Sequence, residues 1–223
     1  MSTTALDVVN AVLARLREAQ VNSTTFSTDT YGQLILRLVN ETKREVEDAF
    51  DWTALRTPKV VTTAAATSTY TITGAGNRFR FYDRRKIIWN ATNRTQIIPY
   101  PQAAFDQLLY TATVNNQIPN WYKLTGSDAN NDPTLTLYPT PDGIYTLDIP
   151  LVVPQADLSA YNDTFSVPRL PVELGAWARA IAERGEDGST SASEQWQMYQ
   201  LCLGDFVAIE ANRVEDEVIW EVV

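Results

Sequence analysis

The chain has 223 residues, 44% of them apolar, and a formal net charge of −9, a size that allows one large domain or a smaller one set inside another. It contains no histidine and one cysteine, Cys202, which removes the commonest general base, every Ser-His or Cys-His pair, an intrachain disulfide and an ordinary zinc site. The negative charge disfavours nucleic acid as a tightly held ligand, and no run approaches the roughly 18–20 apolar residues of a bilayer span.

The start, Met1-Ser2-Thr3-Thr4, has neither the basic opening nor the apolar block of a signal peptide, so synthesis and use in a cytoplasm are expected. Leu6, Val9, Leu13 and Leu16, widened by Val8 and Val12, predict an amphipathic helix over 4–19. Thr4 and Asp7 read as its capping box. A polar loop over 20–27 leads to a second helix over 29–50. Tyr31, Leu34, Ile35, Leu38, Val39, Thr42, Val46 and Phe50 share one of its faces. Arg37, Glu41, Lys43, Arg44, Glu45, Glu47 and Asp48 take the rest. Two helices joined so closely are expected to pack antiparallel.

After Trp52, alternation replaces the helical period. Strands are expected at 59–63, 68–73, 78–82, 85–89, 95–100, 121–125, 134–138 and 144–152. Gly74-Ala75-Gly76-Asn77 is a turn, and Pro101 opens a short helix over 102–110. Thr140-Pro141-Asp142-Gly143 lies between two alternating runs and signals a hairpin. Helical spacing returns at Leu170-Pro171, with Leu174, Trp177, Ala178, Ile181 and Ala182 on one side. A last helix runs to about Asn212, with Trp196, Tyr199, Leu203, Phe206 and Val207 turned inward. The architecture that buries these faces is α+β. An antiparallel helical bundle from 1–54 and 166–213 carries an inserted antiparallel β domain, 55–165, and a tail, 214–223.

Chemistry is sparse. Glu41, Glu45 and Asp48 stand at helical spacing but interleave with Lys43 and Arg44, the pattern of a solvated, salt-bridged face. Asn131, Asp132 and Asp142 are turn residues that do not make a calcium loop. Cys202 lies in an apolar helical stretch as a small core residue. The strip Arg78, Arg80, Arg84, Arg85 and Lys86, interleaved with Phe79, Phe81 and Tyr82, admits three readings. It is a two-faced strand, a contact between subunits, or a track for single-stranded nucleic acid. In the tail, Val218, Ile219, Trp220, Val222 and Val223 either fold back or bind another chain by strand addition or pocket insertion. Trp89, Tyr100, Trp121 and Tyr122 suggest a rival reading as a carbohydrate- or ligand-binding β module. A carboxylate-dependent hydrolase is the remaining rival.

Three stretches carry a family likeness. They are Glu47-Asp48-Ala49-Phe50-Asp51-Trp52 closing the second helix, the hairpin over 135–147, and Leu158-Ser159 through Phe165-Ser166-Val167-Pro168 into Leu170-Pro171. In this order the chain resembles the head-to-tail adaptor (connector) proteins of tailed bacteriophages, including the tail tubular protein A type of short-tailed phages. The resemblance implies a non-enzymatic virion protein without cofactors, made in the host bacterium and placed at the head–tail junction. It implies a homo-oligomeric ring, commonly of twelve copies, beneath the portal protein, extending the channel for double-stranded DNA and supporting a tail or nozzle protein. It assigns portal docking to the tail residues. The basic strip, with Glu41, Glu45 and Asp48, becomes the candidate contact between copies.

Overall fold

The computed structural model describes residues 3–111, 116–185 and 190–213, apart from the side chains of 190–192. It is α+β, and the elements follow in chain order. Helices α1 (Ala5–Arg15) and α2 (Thr30–Ala49) come first. Strands β1 (Arg56–Thr62), β2 (Thr69–Thr71), β3 (Arg80–Phe81), β4 (Ile88–Asn90) and β5 (Thr95–Pro99) follow. Then come α3 (Gln102–Thr111), β6 (Trp121–Ser127), β7 (Pro133–Tyr138) and β8 (Thr146–Val152), and finally α4 (Arg169–Arg184) and α5 (Thr190–Ala211). The chain divides into a sheet unit, residues 55–154, and a helical unit made by the chain before and after it.

In the helical unit, Thr4 caps α1 as its sequence dictates. The Asp7 N–H donates to Thr4 Oγ1 at 3.2 Å and the Thr4 N–H donates to Asp7 Oδ2 at 2.9 Å. The helix is shorter than its periodicity suggests and gives way to a turn in which Arg17 has φ 58°. Asp29 caps α2 by accepting from the Gly32 N–H. Helices α1, α2 and α4 contact one another and α5 packs on α4.

Helix α4 is not one-sided as expected. Residues Pro171 to Ala176 are all buried, because three helices surround its first half. Gly175 makes this possible. A Cβ there would lie 2.5 Å from Thr42 Cγ2 and 3.0 Å from the Tyr199 ring, so only glycine admits α2 and α5 so closely. Gly185 ends α4 with φ 63°.

The expectation that Lys43 lies on a solvated, salt-bridged face is overturned, and Glu47 is buried with it. Both side chains are 0% exposed. Lys43 Nζ donates to Glu47 Oε1 at 2.9 Å, to the Gln155 carbonyl at 2.9 Å and to the Ala156 carbonyl at 3.1 Å. Glu47 also accepts from the Gln155 N–H. Charge patterning along one helix cannot reveal a distant strand of chain laid over it. That strand is 155–165, which the sequence pattern groups with the β region. Here it hydrogen-bonds to the helices, with Asn40 gripping both backbone groups of Leu158 at 2.9 Å. The Ala5 N–H donates to the Asp163 carbonyl at 2.8 Å.

The sheet unit holds one eight-stranded sheet in the order β1-β8-β4-β5-β6-β7-β2, with β3 also on β8. Its core joins Val61, Ile72, Ile88, Ile97, Tyr122, Leu135, Leu137, Leu147, Ile149 and Leu151. Two expectations fail here. The sheet is not wholly antiparallel, since β5 and β6 pair in parallel, Ile98 opposite Trp121. The reason is the connection, because α3 lies between them and a parallel pair requires such a crossover. The second failure is the hairpin over 135–147. β7 pairs with β6 and β2, while β8 pairs with β1, β3 and β4, so both edges of β7 are already filled. The intervening loop is held by the end of β1 instead. Thr63 Oγ1 donates to the Gly143 carbonyl at 2.9 Å, and the Thr63 N–H donates to the Tyr145 carbonyl at 2.9 Å.

Candidate assembly surfaces

The basic strip is not a uniform row. Strand β3 is two residues long and joins β8 with Arg80 opposite Val152 and Phe81 opposite Leu151. Phe79 and Phe81 pack on the sheet core, 6.0 Å apart, and Phe81 lies 6.2 Å from Tyr122. Phe79 and Phe81 therefore turn inward, as on a two-faced strand, whereas Tyr82 is exposed, with the Arg56 guanidinium 5.2 Å from its ring. Arg78, Arg80 and Arg85 each have interactions within the chain, Arg85 Nε being 3.7 Å from Asp83. Lys86 adopts φ 53°, its N–H donates to the Asp83 carbonyl at 2.9 Å, and its own carbonyl accepts from Tyr122 Oη. The side chains of Arg84 and Lys86 are exposed and form no ion pair among the described residues.

On α2 the three acids separate. Glu45 pairs with Arg179, which also donates to Thr42 Oγ1 at 2.9 Å and lies 5.0 Å from the Trp196 ring. This network joins α2, α4 and α5, so Glu45 is committed inside the unit. Beside it, burial and the Glu45 carboxylate push the Tyr199 hydroxyl well above its ordinary range. Glu41 and Asp48 remain exposed.

The four aromatics of the rival ligand-binding reading do not share a surface. Tyr122 is 2% exposed, and burial raises its hydroxyl pKa. Trp121 stacks on Tyr138 at 6.1 Å and meets Tyr100 at 5.5 Å, so these rings occupy one another. Trp89 alone of the four stands out, at 45% exposed. The carboxylates also have defined duties. Asp7, Asp132, Asp163 and Glu210 are all held below their ordinary range, the opposite of what a general acid requires. In Asp132 the cause is the N–H groups of Gly74 and Gly76, each at 2.8 Å. Asp142 accepts from the Tyr145 hydroxyl.

Helix α5 carries a surface that the sequence reading missed. Tyr199 and Glu210 are buried, but Trp196, Leu203, Phe206 and Val207, expected inward, are only half-buried. Burial pushes the half-buried Cys202 thiol up, and Asp205 adds to it. Met198, Leu201 and Ile209 are exposed, Leu201 at 72%, with small Gly204 and Ala208 between them. The signal was present, since apolar residues occur on all sides of this helix and one neighbour cannot cover them. The tail residues Val218, Ile219, Trp220, Val222 and Val223 lie outside the described residues. Among the described residues, no helix is long and apolar enough to cross a membrane.

A family model described as SU10 adaptor protein matches residues 3–218. No curated protein matches the chain.

Proposed function

Because the chain belongs to the SU10 adaptor protein family of phage head–tail adaptors, a structural component of the virion, we propose that it forms a ring between portal and tail and extends the DNA channel. A family match over nearly the whole chain carries this reading, since it covers both the helical and the sheet unit. The likeness to the tail tubular protein A type, a twelve-copy ring and a tail or nozzle partner belong to the same proposal.

The physical features favour a passive conduit. A ring of copies with a net charge of −9 each presents a negative field, and DNA phosphates slide past acidic walls rather than adhere. The helical unit, as a bundle, supplies the ring. The exposed apolar face of α5 is of the kind that subunit contacts cover. The basic strip of residues 78–86 and the acids Glu41 and Asp48 of α2 lie in the contacts between copies, while Glu45 is taken by Arg179 within the chain. Residues 214–223 dock on the portal through Val218, Ile219, Trp220, Val222 and Val223.

Deleting 214–223 tests the docking step. The shortened protein is expected to keep its helical content and melting behaviour and to lose co-sedimentation with its portal. Retained portal binding by the shortened protein would refute the docking assignment. Electron microscopy of the intact protein with its portal tests the ring directly.

A further inference from the structure

The outer face of the sheet unit carries a row of side chains set by strand register. Val60 on β1 lies opposite Asp148 on β8, Asp148 opposite Trp89 on β4, and Trp89 opposite Gln96 on β5. Directly opposed residues share a face and stand about 5 Å apart. The alternate residues Val61, Ile88, Ile97, Leu147 and Ile149 form the core, so this row points away from it. Val60 is 61% exposed and Trp89 45%.

Asp148 is therefore a half-buried carboxylate held between a valine side chain and an indole. It has no hydrogen bond or ion pair among the described residues. Strand register fixes this pairing, so the two side chains start from neighbouring positions on one face. An indole face and a carboxylate side by side are the two elements that bind a guanidinium or ammonium group. The ring quadrupole attracts the cation, and the carboxylate accepts its N–H bonds. An apolar flank such as Val60 suits the aliphatic stem of the same side chain.

We infer that the Asp148–Trp89 row receives a basic side chain from a second copy of this chain, supplied by its Arg84–Lys86 loop. This rests on the reading of the protein as a subunit that contacts its own copies. The charge balance selects the occupant. Two copies at −9 repel each other, so local cations at their contact favour association. Arg84 and Lys86 are exposed, in one loop, and without ion pairs among the described residues. The free carboxylate and the free cations thus occur in the same unit but are unused there.

The test is charge reversal read by oligomer mass, with the intact protein alone and bound to portal. Asp148→Arg is expected to weaken association between copies by roughly tenfold or more, and Trp89→Ala by a similar factor. Trp89 is exposed and Asp148 is half-buried with its carboxylate unpaired, so melting curves should stay close to the parent's. Combining Asp148→Arg with Arg84→Glu and Lys86→Glu is expected to restore association. If the parent assembles and the single reversals assemble equally well, the site is refuted while the assembly reading stands. Failure of the combined variant to recover, with the single variant impaired, also refutes Arg84 and Lys86 as the occupants. A parent that never associates, alone or on portal, overturns the assembly reading itself.

Discussion

Lys43 and Glu47 show how one buried pair can decide the stability of the helical unit. Both side chains are 0% exposed, and the ammonium uses its three donors on one carboxylate and two main-chain carbonyls. Both charged side chains are desolvated, so removing one partner leaves a buried charge without compensation. Glu47→Gln and Lys43→Met are each expected to lower unfolding free energy by about 3–5 kcal/mol in urea titrations. Replacing both at once removes the charges but leaves the Gln155 and Ala156 carbonyls without their donor. The double variant should therefore recover only part of that loss. A cost near that of an exposed pair, below about 1 kcal/mol, would show that water reaches the site.

At the scale of elements, local signals were read well and pairings poorly. The Thr4 cap, the start of α2 next to Asp29 and the Gly74–Gly76 turn each depend on residues within a few positions, and each formed where the sequence put it. The hairpin over 135–147 failed because pairing depends on which edges other strands have already filled. The outer face of α5 was missed for a related reason, since inward and outward are defined by neighbours that one helix does not encode. A long-range contact that the chain does encode is Asp132, at the start of β7, which accepts from the N–H groups of Gly74 and Gly76 in the turn after β2. Those bonds hold its carboxyl below the ordinary 3.8. With the folded value depressed, the native state binds fewer protons than the unfolded chain. Its contribution is present above the unfolded value and lost as pH falls from about 5 through the folded value. Thermal melts over that range should show Asp132→Asn less stable than the parent at neutral pH and converging with it in acid. A gap that does not change with pH would mean the charge plays no part.

At the scale of the whole molecule, the sheet unit is an insertion whose two ends meet. Strands β1 and β8 pair along their whole length, from Arg56 opposite Val152 to Thr62 opposite Thr146. The Val153 N–H donates to the Leu55 carbonyl at 3.0 Å, which closes the unit next to the point where the chain leaves it. The sheet core, from Val61 to Leu151, draws every member from within 55–154. A segment of about 100 residues with its own core is within the size at which domains fold alone. The excised segment 55–154 is therefore expected to unfold in a single cooperative transition by circular dichroism. A gradual, non-cooperative melt would show that the sheet depends on the helices for its stability. An autonomous insertion matters for an adaptor because it relieves the helical unit of constraint. The entry and exit of the insertion are adjacent, so α2 and α4 can pack as though joined by a short loop. The sheet can then present Trp89, Asp148 and the Arg84–Lys86 loop without taking part in the helical core. Contacts made by one unit can strengthen or weaken while the fold of the other stays as it is.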